Sequence, residues 1–311
     1  MTATTTSAAT TAAATTGQAV DRRPTGPRRP GRRARTRTQA VLFHLLALAV
    51  LVVAMYPVAW MVLSAFKPSN QIVGNINLLP TDPTLENFTK ALRGIGGVSF
   101  WQFFANSMAL ALLSVLGVVL SSTVVAYAFA RINFPGRAMF FATMIATLLL
   151  PFHVVIIPQY IIFNSLDLVN TWVPLLAGKF LATEAFFIFL MVQFMRGLPR
   201  DLDEAAKIDG AGHFRIFASI MLPLMRPAVV TSSIFAFIGS WNDFLGPLLY
   251  LKKAELYTLP VALRLFVDQT SAVDYGAQVA MALLALVPVF VFFMIFQRFI
   301  VNGVATQGLK G

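Results

Sequence analysis

Residues 204–227 read EAAKIDGAGHFRIFASIMLPLMRP, a charged island rich in small residues between long apolar runs. Eight Asp, Glu, Lys or Arg residues fall within residues 196–215. At about 3 kcal/mol for each charge held at the centre of a bilayer, placing them in lipid costs on the order of 20 kcal/mol. The island therefore lies in water or against another protein, and the runs on either side belong in the membrane. Pro199 suits a first helical turn, Asp201, Asp203 and Glu204 favour the positive end of a helix dipole, and Gly210 suits the position just past a helix end. A helix of about ten residues is expected there. A second, starting near Gly212 or His213, sets Phe214, Phe217, Ile220 and Met221 on one apolar stripe until Pro223 and Pro227 stop it. Together they form an elbow. Ala205 and Ala206 keep its first arm slim enough to enter a groove on a partner. Physics alone leaves open the alternative that the loop packs only on its own protein.

Working outward, 57% of the 311 residues are hydrophobic, 28 of them Phe, and only 12% are charged. A soluble domain of this length is far less apolar, so the chain reads as an integral membrane protein. With no Cys, disulfide frameworks, thiolate metal sites and Cys nucleophiles are excluded. The net charge of +11 is unevenly placed: residues 1–40 hold eight Arg and one Asp, and the other 271 residues carry only +4. That basic segment, otherwise Thr, Ala, Ser, Pro and Gly, is expected to be a disordered cytoplasmic tail. A basic run ahead of a first span is a cytoplasmic flank, so no nucleic-acid partner is inferred from it.

Six runs are long enough to cross the hydrocarbon core: residues 41–66, 104–130, 138–163, 173–195, 228–251 and 277–296. The expectation is an all-α, polytopic protein with six transmembrane helices and one large water-side loop over about residues 197–227. The first run is too long for a signal-peptide core and should remain as a span. Pro57, Pro151, Pro158, Pro174, Pro247 and Pro288 read as kinks or unwound turns, because neighbouring helices can satisfy the freed backbone groups. Placing the basic tail inside puts 17 of the 24 Lys and Arg on the cytoplasmic side and six outside, which favours this orientation, with both termini in the cytoplasm. The outer segments, residues 67–103, 164–172 and 252–276, are too short for independent domains. Trp101, Trp172, Tyr250 and Tyr257 fall near span ends and are expected to anchor at the lipid–water boundary.

No GxxxxGK[ST] occurs, so the chain has no phosphate-cradling loop of that type and energy must come from another subunit. His44, His153 and His213 are scattered, there is no HExxH, and no metal site, cofactor or catalytic set follows from spacing. The chain is not read as an enzyme. Within the spans, Lys179 and Glu184 stand out, because ionisable groups at membrane depth face a cavity or one another. Five residues on a regular helix is about 140°, so a direct pair between them is not expected. Asn242 and Asp243 beside Trp241 could hold a sugar, an aromatic face covering the ring while Asn and Asp bond its hydroxyls, or could form an outer gate before Gly246 and Pro247. Gln159 after Pro158 is a further candidate for the substrate path.

Glu204, Ala205, Ala206, Asp209, Gly210 and Ala211, followed by Leu222, Pro223 and Pro227, resemble the EAA loop of inner-membrane permease subunits of binding-protein-dependent ABC importers. Further matching segments are Tyr56-Pro57 to Lys67-Pro68, Pro83 to Phe88, Asn106-Ser107, Ala126 to Arg131 with Phe134 to Arg137, Ile157 to Tyr160, Trp241 to Phe244 and Gly303 to Gly311. They resemble the carbohydrate-uptake branch, closest to its MalG-like member, over residues 41–311. The resemblance implies that the loop is a coupling helix seated in a cleft of an ATPase, with Glu204 positioning the elbow, Gly210 supplying its turn and Gly308 to Gly311 contacting the ATPases. It also implies a second homologous permease, a cytoplasmic ATPase dimer, an extracytoplasmic solute-binding protein and a carbohydrate substrate, in the plasma membrane. Two rival readings are an ion-coupled secondary carrier using Lys179 and Glu184, and a membrane-bound scaffold or enzyme.

Overall fold

The structure, a computed structural model, describes residues 37–73, 77–268 and 274–305, with side chains over 39–73, 77–266 and 274–296. The expected tail up to residue 36 and the Gly308 to Gly311 segment lie outside the described residues. The chain divides into two units, residues 1–54 and 55–311. Helix α1, Arg37–Ser64, begins four residues before the expected span and supplies all that is described of the first unit. Over Gln39–Ser64 it is strongly apolar and has almost no face buried by the protein, as expected of a helix solvated by lipid or by another chain.

In the second unit, α2 (Glu86–Arg93) is a short amphipathic helix before the long α3 (Phe100–Arg131). There follow α4 (Arg137–Thr147), α5 (Phe152–Ser165), α6 (Val173–Phe180), α7 (Ala185–Arg196), α8 (Asp201–Ile208) and α9 (His213–Ile216). A π-helical turn, Phe217–Met221, leads through α10 (Leu222–Leu224) to α11 (Arg226–Trp241). The last helices are α12 (Leu245–Tyr250), α13 (Leu259–Asp268) and α14 (Tyr275–Ala305). No strand is present among the described residues.

At 1.5 Å per residue the 32 residues of α3 run about 48 Å, longer than the hydrocarbon core is thick. It is the central strut, packing along α11, α7 and α6. Two cores form on it. Near its start, Phe103 and Ala111 pack with Phe237, Trp241, Leu259 and Met281. Near its end, Ala126, Tyr127 and Ala130 pack with Ile188, four methionines (Met191, Met195, Met221 and Met225) and loop residues Ala206 and Ile216.

The six expected runs are resolved unevenly. Gln39–Ser64, Phe100–Arg131, Val173–Arg196 and Tyr275–Phe296 are each long and apolar enough to cross a membrane. The run at 138–163 is a pair, α4 and α5, bent by 101° across a break that ends at Pro151. The run at 228–251 is cut after Trp241. Its helix α11 is bent by 74° from the His213–Leu224 segment, and counting each bent pair as one gives six crossings. Val173–Arg196 is also interrupted, because Ala182 takes a left-handed φ of 57° between α6 and α7. Pro223 does not stop the second arm of the elbow: it lies inside the continuous His213–Leu224 segment, just past the π-helical turn, and the break falls at Met225. Of the expected boundary anchors Trp101 is exposed, whereas Tyr250 is buried beside Tyr160 and Phe163 and is a packing residue.

Candidate functional site

The elbow is built from a specific helix ending. Past Ile208, Gly210 adopts φ +80°; its N–H donates to Lys207 O at 3.0 Å, and Ala211 N–H donates to Ala206 O at 2.9 Å. These two bonds are the Schellman arrangement, which satisfies the last helical carbonyls and needs a residue tolerant of positive φ. A Cβ at Gly210 would meet no atom within 4 Å, so glycine is demanded by backbone angle and not by space. The expected first arm is eight residues long in place of about ten.

The motif residues divide by face. Ala206 is buried against the bundle, and Ala211 packs partly on the same core. Glu204, Ala205, Lys207, Asp209 and Gly210 face outward. Thus only Ala205 of the two alanines is free to meet a partner; Ala206 is small because α8 lies close to its own protein. The expected stripe on the second arm shifts likewise. Phe214 is 82% exposed, while Ile216 and Met221, five apart across the π-helical turn, turn inward. Ile208, at 87% exposed, joins Phe214 on the outside, so two large apolar side chains flank the Gly210 turn on an otherwise charged surface.

Two residues that the sequence did not pair hold this loop down. Arg131, the last residue of α3, meets Asp203 of α8 at 3.1 Å, with side chains 4% and 11% exposed. The same guanidinium donates to Met195 O at 2.9 Å and Leu198 O at 3.0 Å, carbonyls at the end of α7. On the other arm, Tyr127 Oη lies 3.3 Å from His213 Nδ1 and its ring is 5.3 Å from that of Phe217. In the sequence Arg131 is a water-side positive charge at the end of the Ala126 to Arg131 match, and Asp203 a helix-dipole residue. They lie 72 positions apart, so no periodicity joins them and no signal in the sequence pairs them.

A second polar cluster lies among the spans. Lys179 Nζ and Glu184 Oε1 are 2.5 Å apart. The expectation that they do not pair fails because α6 ends at Phe180 and α7 starts at Ala185: the left-handed turn at Ala182 replaces the regular 100° step. Lys179 and Asp243 line a cavity of about 50 Å³ with Ser114, Ser240 and Thr258. Ser114 Oγ donates to Ser240 Oγ at 3.1 Å, Asp243 Oδ1 accepts the Gly246 N–H at 3.1 Å, and Thr258 Oγ1 is buried with no hydrogen-bond partner among the described residues. Such a space holds a water or two and not a sugar ring. The other candidates are elsewhere. Trp241 is buried between the rings of Phe104 and Phe237, each centred 5.8 Å away. Asn242 is exposed and donates to Ile238 O, and Gln159 is exposed on α5.

Residues 119–306, which carry the end of α3 and all of α4 to α14 with the elbow among them, match the family described as binding-protein-dependent transport system inner membrane component. The chain belongs to that family. Among family relatives, an arabinooligosaccharides transport system permease protein, AraQ, of Halalkalibacterium halodurans is 33% identical over 281 residues, 88% of this chain and 99% of that one. A galactooligosaccharides transport system permease protein, GanQ, of Bacillus subtilis is 32% identical, covering 87% and 96%. A diacetylchitobiose uptake system permease protein, NgcG, of Streptomyces coelicolor is 32% identical, covering 86% and 87%. A solved bacterial ABC transporter involved in import of the acidic polysaccharide alginate shares the fold, with a TM-score of 0.74 at 21% identity, over 85% of this chain and 98% of that one. Membership accounts for the helical, multi-pass architecture of this chain.

Proposed function

We propose that this chain is one of two permease subunits of an ATP-driven importer for carbohydrates, and that the loop at residues 197–227 receives the motion of a cytoplasmic ATPase dimer. The observation that carries the coupling role is the outward set on the elbow: Glu204 and Ala205 on α8, with Ile208 and Phe214 beside the turn. Exposed large apolar side chains on a water-side loop leave apolar area for a partner to bury, at about 25 cal/mol per Å². Glu204 adds a charged group beside the small Ala205. An ATPase cleft that takes up this arm pulls on α8 when it closes, and the helices rock between inward-open and outward-open.

The oligosaccharide names of the relatives support a carbohydrate substrate, delivered by an extracytoplasmic binding protein. The substrate path runs beside Lys179 and Asp243, whose cavity is too small for a sugar until the helices separate, with Glu184 held next to it by its pair with Lys179. Trp241, Asn242 and Gln159 join it only if that rocking exposes them. Both termini lie in the cytoplasm.

Uptake by the assembled transporter in vesicles tests this reading. Glu204→Lys and Ile208→Asp should each lower uptake at least tenfold, roughly 1.4 kcal/mol of lost interaction, while the binding protein keeps its affinity for the sugar. Normal uptake in both variants would sink the coupling assignment. Uptake that survives ATP depletion and collapses with an uncoupler would instead favour an ion-coupled carrier.

A further inference from the structure

The two arms of the elbow are fastened to the bundle in different ways. The first, α8, is tied by an ion pair with little water around it, and the cation of that pair also closes the end of α7. One planar guanidinium thus holds three elements, the ends of α3 and α7 and the first turn of α8. Pulling Asp203 away leaves a buried cation without its counter-charge, which is strongly unfavourable, and uncovers two carbonyls at a helix terminus. The second arm is tied to α3 by a single 3.3 Å hydrogen bond between Tyr127 Oη and His213 Nδ1, with no ion pair among the described residues. Its own Met221, with Met225 at the 74° bend, packs in one core with Met191 and Met195 of α7, all four fully buried, and a π-helical turn runs up to Met221. Methionine side chains are flexible and tolerate repacking. π-helical turns and sharp bends likewise concentrate where helices must adjust.

We infer that Arg131 is a positioning residue that makes α8, α3 and α7 move as one body, so that a pull on the elbow reaches the membrane through α8 and α3 while the second arm yields. This rests on the coupling role proposed above. Because α3 is the strut along which α11, α7 and α6 pack, motion delivered to its end is carried to the polar cluster at Lys179 and Asp243.

Two measurements on the complete transporter with its ATPase subunits test the inference. Sugar imported per ATP hydrolysed, measured in vesicles at equal amounts of assembled complex, should fall at least tenfold in Asp203→Asn and in Arg131→Lys. A purely structural role would instead reduce the amount of complex and leave the ratio unchanged in what assembles, and that result overturns the inference. Because the chain has no native Cys, spin labels can be placed at Val124→Cys on α3 and Asp201→Cys on α8. The distance between them should stay within about 2 Å between the nucleotide-free and ATP-bound transporter, the scale of small helix shifts; a larger change overturns the inference even if the charge variants fail to assemble. Failure of the underlying reading is distinguishable. There, wild-type chain would not co-purify with an ATPase, or Glu204→Lys would import normally, and the inference falls with it. Loss of import in Glu204→Lys with an unchanged ratio in Asp203→Asn would overturn the inference alone.

Discussion

Asp274, just ahead of α14, shows how single residues tie segments distant in sequence together. Ser69 Oγ donates to its Oδ1 at 2.5 Å, the Ala277 N–H donates to the same oxygen at 3.1 Å, and Lys90 Nζ lies 3.1 Å from Oδ2. Burial pushes the carboxyl pKa up, but the Ser69, Ala277 and Lys90 donors outweigh it and hold it below its ordinary value of 3.8. Lys90 is raised above 10.5, first by its bond to Glu86 and then by Asp274. A depressed carboxyl contributes stability that is present above its unfolded value and lost as pH falls through the folded one. A raised lysine contributes below its unfolded value and loses that as pH rises past the folded one. Thermal unfolding of the detergent-solubilised protein should therefore show Asp274→Asn less stable than the parent at pH 6–7. The gap should be about 1 kcal/mol, reduced by the water that reaches Lys90, and should close as pH falls below 3.8. A gap that persists unchanged in acid would rule out the ionised carboxylate as its source.

At the scale of elements, interruptions matter more than helices. The turn between α6 and α7 is held by an Ala in the left-handed region, a conformation that costs an L residue on the order of 1 kcal/mol. The turn brings together Lys179 and Glu184, side chains 28% and 31% exposed to the surroundings of the protein. In a membrane those surroundings are not bulk water, and an unpaired charge there is costly. Lys179→Met or Glu184→Leu alone should lower stability by roughly 2 kcal/mol, and the double substitution Lys179→Met with Glu184→Leu should recover most of it. A thermal-shift double-mutant cycle measures this, and strictly additive losses would show that the two charges do not support one another. The same logic explains the elbow: its two arms separate because Gly210 ends the first with a left-handed residue, and the bend at Met225 sets the second apart from α11.

For the whole molecule, the proposed orientation makes opposite ends of the chain's water-facing segments accessible from opposite sides. Starting from a Cys-free parent, single substitutions Ile208→Cys and Arg93→Cys at exposed positions serve as markers. In intact cells a membrane-impermeant maleimide should label the Cys at 93 and not the one at 208, and inverted vesicles should reverse the pattern. Labelling of both from one side would refute the six-crossing topology with a cytoplasmic elbow. This check bears directly on the two bent pairs, because counting either as a re-entrant loop changes the number of crossings between the two markers or beyond them.

Membrane residence, the helical class, the island at 204–227 and the need for Gly210 were determined by the sequence alone. Each depends on local quantities: apolar run length against bilayer thickness, the cost of charge in lipid, and the φ that follows a helix end. What only the tertiary structure decided depends on where helices break and which ends meet. Lys179 and Glu184 pair because a left-handed turn replaces a regular helical step, and Trp241 is spent on packing between two phenylalanines. Ala206 turns inward beside the Ala205 that faces out. Arg131 finds Asp203 across 72 residues of chain, since only packing brings the end of α3 to the first turn of α8 and excludes enough water for their opposite charges to hold each other.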